Sequence, residues 1–170
     1  MANLQRNISS PSTLAAGVLI RPAQAEDLPR LLPLLEQLFS LEKDFCFAPL
    51  LQERGLRLLL ETPAAALMVA AAPLAGVTDR SEPVGMVSAQ LVISTAEGGP
   101  ALLVEDLVVA PDWQKKGIGR QLLAGVADWG REQGARRLQL LADKDNQPGL
   151  AFYSRNRWSR TALICLRTYI

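Results

Sequence analysis

The chain has 170 residues, 49% of them hydrophobic, with 18 basic against 17 acidic side chains for a formal net charge of +1. That length predicts one domain with a real core, and the near-neutral balance leaves neither a nucleic-acid footprint nor a polybasic membrane anchor. Histidine is absent, which removes His-based triads and most zinc sites.

Residues 1–16 read as a flexible tail without the charged start and apolar core of a signal peptide, and 17–170 as a single domain. No run of 18 apolar residues exists, so no membrane span is expected. Cys46 and Cys165 lie far apart and read as reduced thiols of a cytoplasmic protein, with a single disulfide left open.

A short β-like run at 17–21 ends at Pro22. Helical spacing follows, with Leu28, Leu31, Leu32, Leu35 and Leu38 on one face and Pro33 expected to bend the helix or restart it. Residues 40–48 form a loop holding Glu42, Asp44, Phe45 and Phe47, and 49–61 a second helix stopped by Thr62–Pro63. Strands are expected at 66–72, 84–95 and 101–109. A helix after residue 117 places Ile118, Leu122, Val126 and Trp129 on its core face, with Gly134 as its C-terminal cap. A strand at 137–142, a short helix at 148–155 and β-like residues from 158 to 170 complete the chain. The pattern is mixed α/β.

The stretch 105–120, EDLVVAPDWQKKGIGR, reads as strand, turn and helix entry. The first N–H groups of a helix lack intrahelical partners, and the helix dipole adds positive character there. Gly117 and Gly119 open that end to close approach, and Lys115, Lys116 and Arg120 surround it with charge, so the join suits a phosphate or pyrophosphate. A nucleotide-binding P-loop is disfavoured because Arg120-Gln121 stands where Lys-Ser/Thr is needed, and a dinucleotide fingerprint because Leu122 replaces the third glycine.

The run Gln114-Lys115-Lys116-Gly117-Ile118-Gly119 resembles the Gln/Arg-x-x-Gly-x-Gly/Ala signature of the GNAT superfamily of N-acetyltransferases, and the preceding Val-x-Pro turn is similar too. The resemblance covers roughly 17–170. It implies a twisted, mostly antiparallel sheet flanked by helices, in which a central parallel strand pair splays apart to admit the pantetheine arm of acetyl-CoA. Coenzyme A would then contact Gln114, Lys115, Lys116, Gly117, Ile118, Gly119 and Arg120 through its pyrophosphate, and the backbone of Leu107, Val108 and Val109 through its amides. The segment 146–153 resembles the family's Asn-x-x-Ala-x-x-Phe/Leu-Tyr motif, which makes Asn146 a cofactor contact and Tyr153 a cofactor contact and the acid for the departing thiolate. Two departures stand out. Gly149 occupies the usual Ala position, and Arg157 precedes Trp158 where the family has Gly before an aromatic. A left-handed cap there falls more naturally to Asn156.

A lysine-like amine has a pKa near 10.4, so at pH 7 only about one molecule in 2,500 is neutral, and removing its proton costs roughly 4.6 kcal/mol. Protonating a thiolate of pKa near 8.5 is worth only about 2 kcal/mol. A base therefore matters more than an acid, and a phenol of pKa near 10 remains able to donate. Glu105 is the first candidate base, directly or through water, because burial in an apolar strand would raise its pKa. Asp106 ranks second, since a regular strand turns it to the opposite face, unless a bulge intervenes. Glu42, Asp44, Phe45, Glu105 and Asp106 form a weak acceptor-binding set suited to a small cationic amine. Transfer by direct attack in a ternary complex is the expected reaction, with no metal. Protein or peptide acetylation and a non-catalytic acyl-CoA-binding regulatory module are the alternatives, and a homodimer is left open.

Overall fold

In the computed structural model, which describes residues 17–41, 44–74, 76 and 80–170, five strands and four helices follow one another along the chain. They are β1 (Leu19–Pro22), α1 (Leu28–Phe39), α2 (Pro49–Glu61), β2 (Ala65–Pro73), β3 (Ser81–Ser94), β4 (Gly99–Val109), α3 (Ile118–Glu132), β5 (Leu138–Leu140) and α4 (Gln147–Arg155). A 3-10 turn precedes α1 at Ala25–Asp27, and another follows β4 at Pro111–Trp113. The sheet order is β1-β2-β3-β4-β5, antiparallel until the last pair, which is parallel.

Both faces of the sheet are covered, so β2 can carry a nearly continuous apolar run in place of alternation. One face packs Val87, Ala89, Leu102 and Val104 against Ile118, Leu122 and Val126 of α3. The other packs Met86, Val69 and Val108 against Leu28, Leu31 and Leu35 of α1 and Leu56 of α2. Helix α3 ends as expected: Gly134 adopts φ 82°, and Ala135 N–H donates to Gly130 O at 2.8 Å.

Three expectations need correction. Of the two outcomes expected at Pro33, the restart does not occur, since α1 runs continuously through it; the ring lies on the exposed side, where the carbonyl it orphans can meet water. The parallel pair is not central but lies at the end of the described strand order. Residues 158–170 form no strand, and Leu163, Ile164, Leu166 and Tyr169 are more than 80% exposed. β propensity reports fit to a paired, half-buried surface, and β5 offers an edge of only three residues. The tail 1–16 and Glu42 lie outside the described residues.

Candidate active site

Strand β4 is irregular where it carries its two carboxylates. Val87 pairs with Leu107 and Ala89 with Val104, so Glu105 and Asp106 together oppose the single residue Ser88. That is a β-bulge, an extra residue that re-aims side chains. Its effect is visible in the packing, because Val104 and Leu107 both contact the α3 face although they are an odd number of positions, three, apart. The bulge turns Glu105 and Asp106 to the same side, the side covered by α1 and α2. Asp106 Oδ2 accepts from Ser88 Oγ at 2.9 Å, and Glu105 Oε2 accepts from Gln90 Nε2 at 3.3 Å. Ser88 and Gln90 are two apart on β3 and so share a face.

The two carboxylates differ in environment. Glu105 is exposed, so the burial expected for it is not met. Asp106 is half-buried beside the fully buried Ser88. Burial pushes its pKa above the ordinary carboxylate range; the Ser88 hydroxyl opposes that shift, and the charge of Glu105 adds to it. Ser88 also accepts from the Asp106 N–H at 3.1 Å, so one hydroxyl braces both ends of the residue.

Pairing with β5 covers only Leu102, Leu103 and Val104, so from Glu105 to Val109 the strand has no β5 partner among the described residues, as the expected splaying requires. The side chains of Leu107 and Val109 pack toward α3 and that of Val108 toward α1, which leaves only their backbone to face a ligand. The Val109 carbonyl accepts from two side-chain amides, Gln37 Nε2 at 3.1 Å and Gln114 Nε2 at 3.1 Å. Gln37 escaped the sequence reading because a single glutamine among the leucines of α1 carries no spacing signal.

After the Pro111–Trp113 turn the chain bends sharply. Lys115 has φ 59° and Gly117 φ 84°, and Gly117 caps α3 by accepting from the Gln121 N–H at 3.2 Å. Glycine at 117 meets the left-handed angle at no steric cost. Gly119 has a different reason: a Cβ there would lie 3.3 Å from the Phe152 ring, so α4 settles directly on the start of α3. Ile118 is a core side chain and presents only its N–H. Lys115, Lys116 and Arg120 are exposed around this end, with Lys116 Nζ 4.8 Å from the Trp113 ring centroid.

Asn146 caps α4, its Oδ1 accepting from the Gly149 N–H at 2.9 Å. A Cβ at residue 149 would lie 2.7 Å from the Asn146 amide, which explains why glycine stands where alanine was expected. Tyr153 packs between Phe152 and Trp158, with ring centroids 5.3 and 5.8 Å away. At the end of α4, Arg157 and not Asn156 takes the left-handed conformation, with φ 66°. Trp158 N–H donates to Tyr153 O and Arg157 N–H to Ser154 O, each at 3.1 Å. That is a Schellman cap, and its apolar contact is the Trp158–Tyr153 ring pair. Arg157→Gly is expected to raise stability by about 1 kcal/mol, by removing the left-handed penalty, without changing activity; urea denaturation measures it.

In the loop after α1, Phe45 stacks on Phe39 at 5.8 Å and carries the Arg167 guanidinium 4.5 Å from its centroid. Asp44 is exposed, and no contact joins Asp44 or Phe45 to the carboxylates of β4 among the described bonds. No group of three metal-ligating side chains occurs among the described residues. Both cysteines are free and exposed. No described helix is long and apolar enough to cross a membrane.

Comparison with known proteins agrees with the fold. The model of the acetyltransferase (GNAT) family matches residues 34–157. Streptothricin acetyltransferase of Streptomyces lavendulae is 40% identical over 63 residues, 37% of this chain and 33% of that enzyme. Aminoglycoside N(6')-acetyltransferase type 1 of Stenotrophomonas maltophilia is 41% identical over 46 residues, 27% of this chain and 30% of that enzyme. The matched stretches thus span about a third of each relative. Among solved structures, a transcriptional regulator from Bacillus halodurans superposes with a TM-score of 0.74 at 22% identity, over 90% of this chain and 99% of the other, which speaks to the fold alone.

Proposed function

The chain belongs to the GNAT acetyltransferase family, and from that premise we propose that it transfers an acetyl group from acetyl-CoA to the amine of a small cationic molecule. The observation that carries this reading is the bulge in β4, which sets a half-buried carboxylate next to a strand edge that β5 does not pair. The edge fits coenzyme A: its backbone groups match the amides of a pantetheine arm, and the left-handed bend at Gly117 aims the first N–H groups of α3 at a pyrophosphate. When bound, acetyl-CoA supplies the acetyl group as an activated thioester.

The protein's own residues then manage protons and charge. Asp106 takes the proton that the acceptor ammonium must shed, directly or through a water, as the new C–N bond forms and the C–S bond breaks. A raised pKa suits that task, since a base works best when its pKa approaches the working pH. Tyr153 returns a proton to the departing sulfur, with Phe152 and Trp158 fixing its ring. Glu105, exposed on the same face, attracts and orients the cationic acceptor. The acidic pair, together with relatives named for streptothricin and aminoglycosides, favours an amine-rich small molecule over a peptide.

Calorimetry with coenzyme A, followed by a thiol-release assay over aminoglycosides, streptothricin, polyamines and peptide N-termini, tests the proposal. Saturable binding and turnover of a small amine are expected. Absence of coenzyme A binding by the folded protein overturns it, and turnover confined to peptides overturns the choice of acceptor. Glu105→Gln is expected to raise the KM for the acceptor by less than about fivefold, the scale of an exposed charge, with kcat nearly unchanged. A collapse of kcat would return the base role to Glu105.

A further inference from the structure

The tie between Gln37 and Val109 has a role that packing alone does not require. The Ala110 N–H donates to Val84 O on the β3 side at 2.8 Å. A trans peptide points its carbonyl the opposite way, so Val109 O faces the side from which β5 has departed. A carbonyl has two lone pairs, and two glutamines meet them. Gln114 comes from the neighbouring loop, and Gln37 from α1, 72 residues away in sequence. One oxygen thus joins the open end of β4, the loop that enters α3 and the helix that walls the face holding Asp106 and Glu105.

We propose that Gln37 is a positioning residue that links occupancy of the coenzyme A edge to the placement of α1, so that cofactor binding tightens the acceptor side of the cleft. The proposal rests on the coenzyme A reading above. A ligand that settles on this edge with the Gln37 bond in place immobilises Val109 O, and Gln37 carries that order into α1. Linkage then runs both ways, and an acceptor that settles α1 also favours cofactor binding.

Hydrogen exchange with coenzyme A alone as the ligand tests this. In the wild-type protein, saturating coenzyme A is expected to slow exchange in residues 28–39 about fivefold, the scale of one hydrogen bond gained or fixed. Gln37→Met keeps the side-chain length and removes the donor. It is expected to bind coenzyme A within about threefold of wild type and to protect residues 115–122 normally, while α1 no longer responds. Gln37→Asn, too short to reach Val109 O, is the second variant and should behave alike. Equal slowing of α1 in both variants, or no slowing in a wild-type protein that binds coenzyme A, overturns the proposal and leaves the proposed function standing. Failure of the wild-type protein to bind coenzyme A overturns both.

Discussion

Asp106→Asn should lower kcat/KM by about two to three orders of magnitude, the usual worth of a positioned general base, while the protein remains folded. The asparagine can still accept from the Ser88 hydroxyl through its carbonyl oxygen, so the bulge need not rearrange. In the proposed role the carboxylate must be ionised, so activity should fall as pH drops through its folded-state pKa. Burial pushes that value up, so the acid limb of the wild-type pH profile should lie above the ordinary aspartate range near 3.9. The limb should vanish from the residual activity of the variant.

Stability moves the other way. The native carboxyl holds its proton more tightly than the unfolded one, so wild-type stability declines as pH rises between the ordinary and the raised value. Asparagine removes that decline, and the variant should melt at or above the wild-type temperature at neutral pH. Calorimetric melting from pH 4 to 8 beside the pH–rate profile checks both halves. A variant that melts lower yet keeps its rate would show Asp106 to be a structural brace.

The same residue shows how far the sequence could be read. Helices α1, α2 and α3 and strands β2 to β4 follow from apolar spacing and from Thr62, Pro63 and Gly134, because the physics that forms them acts over a few residues. The bend at Gly117 was legible for the same reason. The facing of the two carboxylates was not. Both turn to one side through a register shift between β3 and β4 that no local pattern encodes, whereas a regular strand would set them on opposite faces. Gly119 illustrates a related limit: its position in the motif suggests room for a phosphate, whereas the structure places the Phe152 ring against it. The residues after Trp158 have strand-like composition but no paired neighbour, and composition cannot supply one. Tyr153 was singled out from a motif, but its seat against Trp158 comes from a cap that Arg157 forms against its own preference.

Asp27→Ala should be among the most damaging substitutions for stability, costing about 3 kcal/mol and roughly 6–10 °C in melting temperature for a chain of this size. Asp27 is 6% exposed and accepts from Nη1 and Nη2 of Arg21, at 2.7 and 2.8 Å. Its Oδ2 also accepts from the Gln24 N–H at 2.8 Å. One carboxylate therefore ties the end of β1 to the turn that launches α1, and its loss strands a half-buried guanidinium. Burial by itself would raise the pKa of Asp27, but the hydrogen bonds from Arg21 and Gln24 and the charge of Arg21 outweigh it and hold the value below the usual range. The stability from this pair is thus fully present above about pH 4, the unfolded reference, and disappears as pH falls through the lower folded-state value. The gap between wild type and variant should be wide at pH 7 and shrink progressively below pH 4. Asp27→Asn, which can still accept from Gln24 but cannot form the charged fork, should fall between them. Because α1 carries Gln37 and walls the acceptor face, the alanine variant should also bind acceptor more weakly at temperatures where it remains folded. A gap that stayed constant down to pH 2 would mean that Asp27 acts through its shape and not its charge.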